Sequence, residues 1–187
     1  MECKSNDSFL ISKLQRGNRE ALHGIYDKYN RFLISVVVNL GNDVATAEDI
    51  AHDVFTSLAT DVWDLKLRST LRAYLATCAA NRARDRARKE ATHTAHLNDM
   101  ATRSCGEGNP IKSAIDREDF KRFQAALARL PYEQREVVFL HVQGEMTFRQ
   151  IAEAQPRMSI NTVKSRWRRA IQTLQEQLNI TPAEQED

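Results

Sequence analysis

The chain has 187 residues, with 27 lysines and arginines against 25 aspartates and glutamates, for a net charge of +2. That length holds one medium domain or two small ones. Three widely spaced cysteines, Cys3, Cys78 and Cys105, with no CxxC pair fit a reducing compartment and no disulfide framework. The longest apolar run, around Val36 to Val38, is too short to span a bilayer, and MECKSNDSF has no apolar signal core. The expectation is a cytoplasmic protein with no membrane partner.

Helical signals dominate and nothing reads convincingly as strand, so the fold class is all-α. Asp7 can cap a first helix that carries Phe9, Leu10 and Leu14 and ends at Gly17. A longer helix follows from about Arg19 to Leu40, with Leu22, Ile25, Tyr26, Tyr29 and Leu33 inward and Gly41 as its C-terminal glycine. Thr46 starts a third helix with Glu48 and Asp49 in its first turn, where the helix dipole favours them. Its apolar stripe is Ile50, Val54, Phe55 and Leu58. The segment TDVWDLKLRS, Thr60 to Ser69, breaks the period and reads as a loop holding Trp63 and Leu65.

A fourth helix runs from about Thr70 to Lys89. Leu71, Tyr74, Leu75, Cys78 and Ala79 form its buried face; Ala73, Thr77, Ala80 and Arg84 face away, with Asn81 on the flank. Its end, RARDRARK from Arg82 to Lys89, holds five basic residues against Asp85 alone. A solvated helix end is the plain alternative, since cations there also complement the dipole.

Ala91 to Lys112 is polar, aperiodic and punctuated by Gly106, Gly108 and Pro110, too long for a loop inside a compact domain. It reads as a flexible linker, residues 91–112, joining two small helical domains, residues 1–90 and 113–187. The second opens with a helix carrying Ile115, Phe120, Phe123, Leu127 and Leu130. Pro131 begins another, with Val137, Val138 and Leu140 inward, and Gly144 ends it.

The last stretch, Thr147 to Leu178, reads as a short helix, a turn and a longer basic helix. Thr147 and Gln150 form a capping box, Pro156 stops the short helix, and Ser159 or Asn161 caps the next. Val163, Trp167, Ala170, Ile171, Leu174 and Leu178 share one face of that helix. Asn161, Ser165, Arg168 and Arg169 point the opposite way, with Lys164 and Arg166 on the flanks. A support helix followed by a basic helix with a free polar face is a helix-turn-helix suited to the DNA major groove. An amphipathic helix with a merely solvated cationic face is the alternative. Two basic patches on a nearly neutral chain fit nucleic-acid contact at two places. There is no nucleophile motif, no phosphate-cradling glycine loop and no metal spacing. His93 and His96 are spaced HxxH but lack acidic or cysteine neighbours. No enzyme activity, cofactor or metal is expected.

These residues also carry a family resemblance. LPYEQREVVFLHVQGEMTFRQIAEAQPRMSINTVKSRWRRA resembles the C-terminal, promoter-binding domain of bacterial RNA polymerase sigma factors. REALHGIYDKYNRFL, AEDIAHDVF and STLRAYLATCAANRARDRAR are similar to their second conserved region. Two domains on a short linker, with no room for further sigma domains, is similar to the extracytoplasmic-function (ECF) subfamily. The resemblance implies a protein that binds core RNA polymerase, directs it to promoter DNA and has an anti-sigma factor as a further candidate partner. It implies polymerase contact at Asp49, Ile50, His52, Asp53 and Phe55, where the family usually has Gln-Glu in place of His52-Asp53. It places reading and opening of the −10 element on Trp63 or Leu65 in the loop and on Asn81, Arg82 and Arg84. It places −35 reading on Lys164, Ser165, Arg168 and Arg169; the free face adds Asn161, and Arg166 on the flank lies nearer a phosphate. The turn AQPRMS is one residue longer than is usual in the family and lacks its frequent glycine. A helix-turn-helix regulator that acts without the polymerase is the alternative function.

If residues 91–112 join separable domains, limited proteolysis should cut first near Arg103 and leave two resistant fragments, read by mass spectrometry. Resistance there equal to that of the helices would refute the division.

Overall fold

In a computed structural model, the structure describes residues 3–65, 67, 69–94, 114–155 and 158–178. Among these it has eight α-helices, one 3-10 turn and no strand. The first half holds α1 (Cys3–Gln15), α2 (Arg19–Asn39), α3 (Val44–Asp61), the 3-10 turn (Val62–Asp64) and α4 (Leu71–Thr94). The second holds α5 (Ala114–Arg129), α6 (Tyr132–Val142), α7 (Phe148–Ala154) and α8 (Ile160–Leu178).

In the first half α1, α3 and α4 all pack on α2. The reason is its apolar stripe: Ile25, Leu33, Val36 and Val37 recur at helical spacing and are fully buried. Leu58 of α3 and Leu71 and Leu75 of α4 close the same core. Asn18 caps α2, accepting from the Glu20 and Ala21 amides, and Gly41 at φ +100° ends it in the left-handed region.

Three helix ends differ from the sequence reading. The first helix starts upstream of Asp7, so Asp7 lies inside α1 and is buried. A buried carboxylate needs partners, and it accepts from Lys28 Nζ and the Tyr29 hydroxyl, each at 2.6 Å. The cap of α3 is Asp43 rather than Thr46. Its two oxygens take the Thr46 amide and hydroxyl at 2.8 Å each, which holds the carboxyl below its usual range. Thr70 caps α4, and the helix runs past Lys89 to Thr94, so the first residues of the expected linker are helical. Residues 95–112 of that linker lie outside the described residues.

Most distinctive is α6. Glu136, Val137, Val138, Phe139 and Leu140 are consecutive and all buried, so this stretch of the helix is covered on every side. A helix apolar all round must be enclosed; α7 and α8 cover part of it and α4 of the first half covers another. Arg135, just before this run, donates Nη2 to the Ala128 and Leu130 carbonyls at 2.7 and 2.9 Å, closing the end of α5.

Gly144 turns the chain from α6 toward α7, its amide bonded to the Phe139 carbonyl at 3.0 Å. A Cβ there would sit 2.5 Å from the Leu140 carbonyl oxygen, a backbone atom that cannot swing aside. Gly144→Ala should therefore destabilise the chain by about 1–3 kcal/mol, seen as a lower urea midpoint. An unchanged midpoint would show that the turn relaxes freely.

Candidate nucleic-acid interface

The capping box expected at Thr147 is present. Its hydroxyl accepts from the Gln150 amide at 3.3 Å, and the Gln150 side chain accepts from the Thr147 amide at 2.9 Å. Ser159, rather than Asn161, caps α8, its hydroxyl accepting from the Thr162 amide at 3.1 Å. Pro156 and Arg157 of the turn lie outside the described residues. Val163, Ala170 and Leu174 of α8 and Ile151 of α7 are buried, so these apolar side chains seat the two helices.

A ring cluster fixes their junction. His141 stacks on Phe148 with centroids 4.5 Å apart and meets Trp167 edge-on at 4.6 Å; Phe148 and Trp167 lie 5.8 Å apart. His141 Nδ1 lies 2.6 Å from the Met146 carbonyl oxygen. No motif in the sequence singles out His141, although its spacing four residues after Val137 places it toward the same side of α6.

On the outward side of α8, Asn161, Lys164, Arg168 and Arg169 are exposed and Ser165 is half-buried. They form one polar, cationic face opposite the seated stripe. Arg166 is half-buried instead. Its Nη1 lies 3.6 Å from Met158 Sδ, and its charge helps to oppose the upward shift that burial imposes on Glu136. It is turned toward the domain interior, where the sequence placed it on the flank of the free face.

In the first half, Trp63 stands on the 3-10 turn and is 62% exposed, while Leu65 packs against the core. Gln15 of α1 pins this segment, donating Nε2 to the Val62 and Leu65 carbonyls at 2.9 and 3.2 Å. Of the two, the structure leaves Trp63 with the free ring. Lys66 and Arg68 of the same loop lie outside the described residues. Beyond it on α4, Arg82 donates to Ser57 Oγ at 2.5 Å, tying α4 to α3. Arg84 donates Nη1 to Asn81 Oδ1 at 3.2 Å, and its Nη2 pairs with Glu136 of α6. Asn81 and Arg84 are thus brought together, and Arg84 is already engaged.

On α3, Asp49, His52 and Asp53 are exposed along one edge, whereas Ile50 and Phe55 are 4% and 5% exposed and belong to the core. The Phe55 ring packs on Tyr26 at 4.9 Å and forms part of an open cleft between α2 and α3 that His23 and His52 also line. Ile50 and Phe55 therefore position the helix, and the three polar residues are what it presents. Among the described residues no group of three or more His, Cys, Asp or Glu side chains could hold a metal ion. Among them no helix is long and apolar enough to cross a membrane. Burial raises the Cys78 thiol above its usual range, the reverse of what a reactive cysteine needs.

Comparison with known proteins places these two halves. The family model for sigma-70 region 2 matches residues 25–93, and that for sigma-70 region 4 matches residues 120–174. The ECF RNA polymerase sigma factor SigW of Bacillus subtilis (strain 168) is 25% identical over 178 residues, covering 90% of this chain and 94% of that protein. In fold the chain is similar to the sigma factor RpoE in its complex with the anti-sigma factor NepR from Bartonella quintana. That match has a TM-score of 0.71 at 23% identity and covers 84% of this chain and 96% of the other. It is similar also to CnrH in complex with the cytosolic domain of CnrY, with a TM-score of 0.64 at 20% identity over 93% of this chain and 97% of that one. An acid-edged helix, a basic α4 and a helix-turn-helix in this order, matched by both region models, place the chain in the sigma-70 family, as a sigma factor of the extracytoplasmic-function group.

Proposed function

We propose that this chain binds core RNA polymerase in the cytoplasm through Asp49, His52 and Asp53 and directs it to promoters read by both of its halves. The observation that carries the reading is the free cationic face of α8, held by an apolar stripe on a helix-turn-helix, in the same chain as the exposed acidic edge of α3. Residues 1–90 serve polymerase binding and the −10 element, and residues 113–187 serve the −35 element, joined by residues 91–112.

Duplex DNA is read where arginine or lysine reaches base edges in the major groove. Arg168, Arg169 and Lys164, with Asn161 and Ser165, supply that face. Strand opening needs captured bases beside a cationic track for the backbone. Trp63 offers a free ring for an unpaired base, Leu65 supports it from the core side, and Asn81, Arg82 and Arg84 lie on the helix that continues the track. The chain catalyses no reaction of its own; it supplies specificity and strand-opening contacts to the polymerase. An anti-sigma factor is a fitting partner, since the structures of two proteins of similar fold each hold another protein bound, one of them a named anti-sigma factor.

Run-off transcription with core polymerase on a promoter library tests the whole reading. Selective transcripts that depend on the chain support it. Promoter-length DNA binding without polymerase association would favour a stand-alone regulator.

Asp49 and Asp53 lie one helical turn apart and are both exposed. Replacing both with lysine should weaken core association while leaving helical content unchanged, because neither belongs to the core. Undiminished co-purification with core polymerase would reject the α3 assignment.

Arg168→Ala or Arg169→Ala should relax base preference at one −35 position, since a bidentate arginine–guanine contact discriminates by about 1–3 kcal/mol. Arg166→Ala should weaken all duplexes alike, lowering the log–log salt slope by about one unit if it meets a phosphate. It should also lower thermal stability, because its guanidinium lies against the turn. Binding of the full chain to single-base-changed duplexes at several salt concentrations measures all three. A changed base preference for Arg166→Ala alone would mean α8 is rotated from this orientation.

A further inference from the structure

The exposed ring of Trp63 stands on a 3-10 turn that is tied to α1. Gln15 is the last residue of α1, and its Nε2 donates to the Val62 and Leu65 carbonyls at 2.9 and 3.2 Å. The Val62 carbonyl also accepts the Leu65 amide at 3.1 Å, the bond that closes the turn. Carbonyls that end a helical turn lack partners within it. A primary amide, with two N–H groups on one nitrogen, can hold a pair of them at once. The two carbonyls flank Trp63 along the chain, so the side chain of Gln15 clasps the turn on either side of the ring.

At its other end α1 is fixed to α2. Asp7, Ile11, Leu14 and Gln15 fall at i, i+4, i+7 and i+8 and share one face of the helix. Ile11 and Leu14 are buried, and Asp7 accepts from Lys28 Nζ and the Tyr29 hydroxyl at 2.6 Å each. Burial, and after it the bond to Asp7, pushes the Tyr29 hydroxyl above its usual range, so it stays protonated and donating. Asp7 and Gln15 lie about 12 Å apart along the axis. This helix precedes residue 25, where the match to sigma-70 region 2 begins.

We propose that Gln15 is a positioning residue for strand opening: α1 is a brace whose terminal amide sets the posture of the turn and so presents Trp63 to an unpaired base. The inference rests on the reading of Trp63 as the capturing ring. Val62 and Leu65 seat the turn by apolar contact, which has no direction. Bonds to two carbonyls supply the direction. A ring on an unheld turn must be ordered at the moment of capture, with a loss of conformational entropy. A ring already held avoids that loss. Both bonds run to the turn, not to the outward face of α8 or the acidic edge of α3, so duplex reading and polymerase binding do not depend on them.

The first measurement follows the ring itself. In a Trp167→Phe chain Trp63 is the one remaining tryptophan, and its time-resolved fluorescence anisotropy reports how firmly it is held. Gln15→Glu keeps the side-chain shape and removes both donors; Gln15→Ala removes them without adding a charge. Each should lower the residual anisotropy while circular dichroism stays helical. Anisotropy equal to that of the parent in both folded variants overturns the brace. The second measurement uses the full chain with core polymerase on a duplex promoter, with permanganate oxidation of unpaired thymines reporting opening. Either Gln15 variant should open about tenfold more slowly, the effect of losing two hydrogen bonds of ordinary net strength, with closed-complex affinity unchanged. Added to Trp63→Ala, it should slow opening no further, because the ring it positions is gone. Opening at the wild-type rate, an equal loss of closed-complex affinity, or slowing that multiplies with the Trp63→Ala effect overturns the positioning role. Undiminished opening in Trp63→Ala rejects the capture reading and that role together, whereas unchanged anisotropy rejects the brace alone.

Discussion

A helix with apolar groups on every side cannot be left at the edge of a small bundle, and α6 is such a helix. Four successive apolar residues, Val137 to Leu140, point in four directions about its axis and are all buried. The helix-turn-helix covers part of that circumference, and α4 of the first half covers part of the remainder. Burying each of these side chains contributes about 1.5–3 kcal/mol, so the arrangement of the second half follows from the need to enclose this one segment. The Arg135 bonds to the end of α5 and the Gly144 turn into α7 fix how the chain enters and leaves it.

The same packing explains how polar groups are distributed. Where the chain has a core to build, its charged residues are either buried with a partner, as Asp7 is with Lys28 and Tyr29, or moved outward. Where it presents a face, charges of one sign collect without partners between them. Lys164, Arg168 and Arg169 do this on α8, and Asp49 and Asp53 do it on α3. A surface held this way is rigid, because the apolar stripe beneath it is locked by the ring cluster of His141, Phe148 and Trp167. Recognition by such a helix needs that rigidity: an arginine must meet a base edge within hydrogen-bonding distance.

Arg82 and Arg84 show how neighbours on one basic run acquire different surroundings. Arg82 turns to Ser57 and braces α4 against α3, whereas Arg84, two residues on, reaches across to Glu136. Two residues along a helix is about 200°, which sends the side chains to opposite sides. Charge count alone describes this run as a uniform cationic patch; the helix turns it into a brace, a cross-domain pair and the residues that follow.

Periodicity and capping chemistry alone determined the all-helical class, the main helices, the capping box at Thr147 and the outward face of α8, because these depend on local spacing and near-neighbour hydrogen bonds. The start of α1 was misplaced because Asp7 reads locally as a cap, and only its longer-range partners Lys28 and Tyr29 hold it inside the helix; the cap of α3 was misplaced because Asp43 and Thr46 can each serve, and Asp43 takes the Thr46 amide. Ile50 and Phe55 were legible as core residues by their stripe, yet the family pattern also made them contacts; burial separates those roles. What tertiary structure alone decided is the contact between α4 and α6. Ala73, Thr77, Ala80 and Arg84 share a face that local rules send to solvent, since alanine and threonine carry no strong signal of burial. Their cover comes from Tyr132, Glu136 and Met146, more than fifty residues away along the chain. No local pattern encodes a contact of that separation; it arises because α6 has apolar surface left to enclose and α4 has small side chains against which to enclose it.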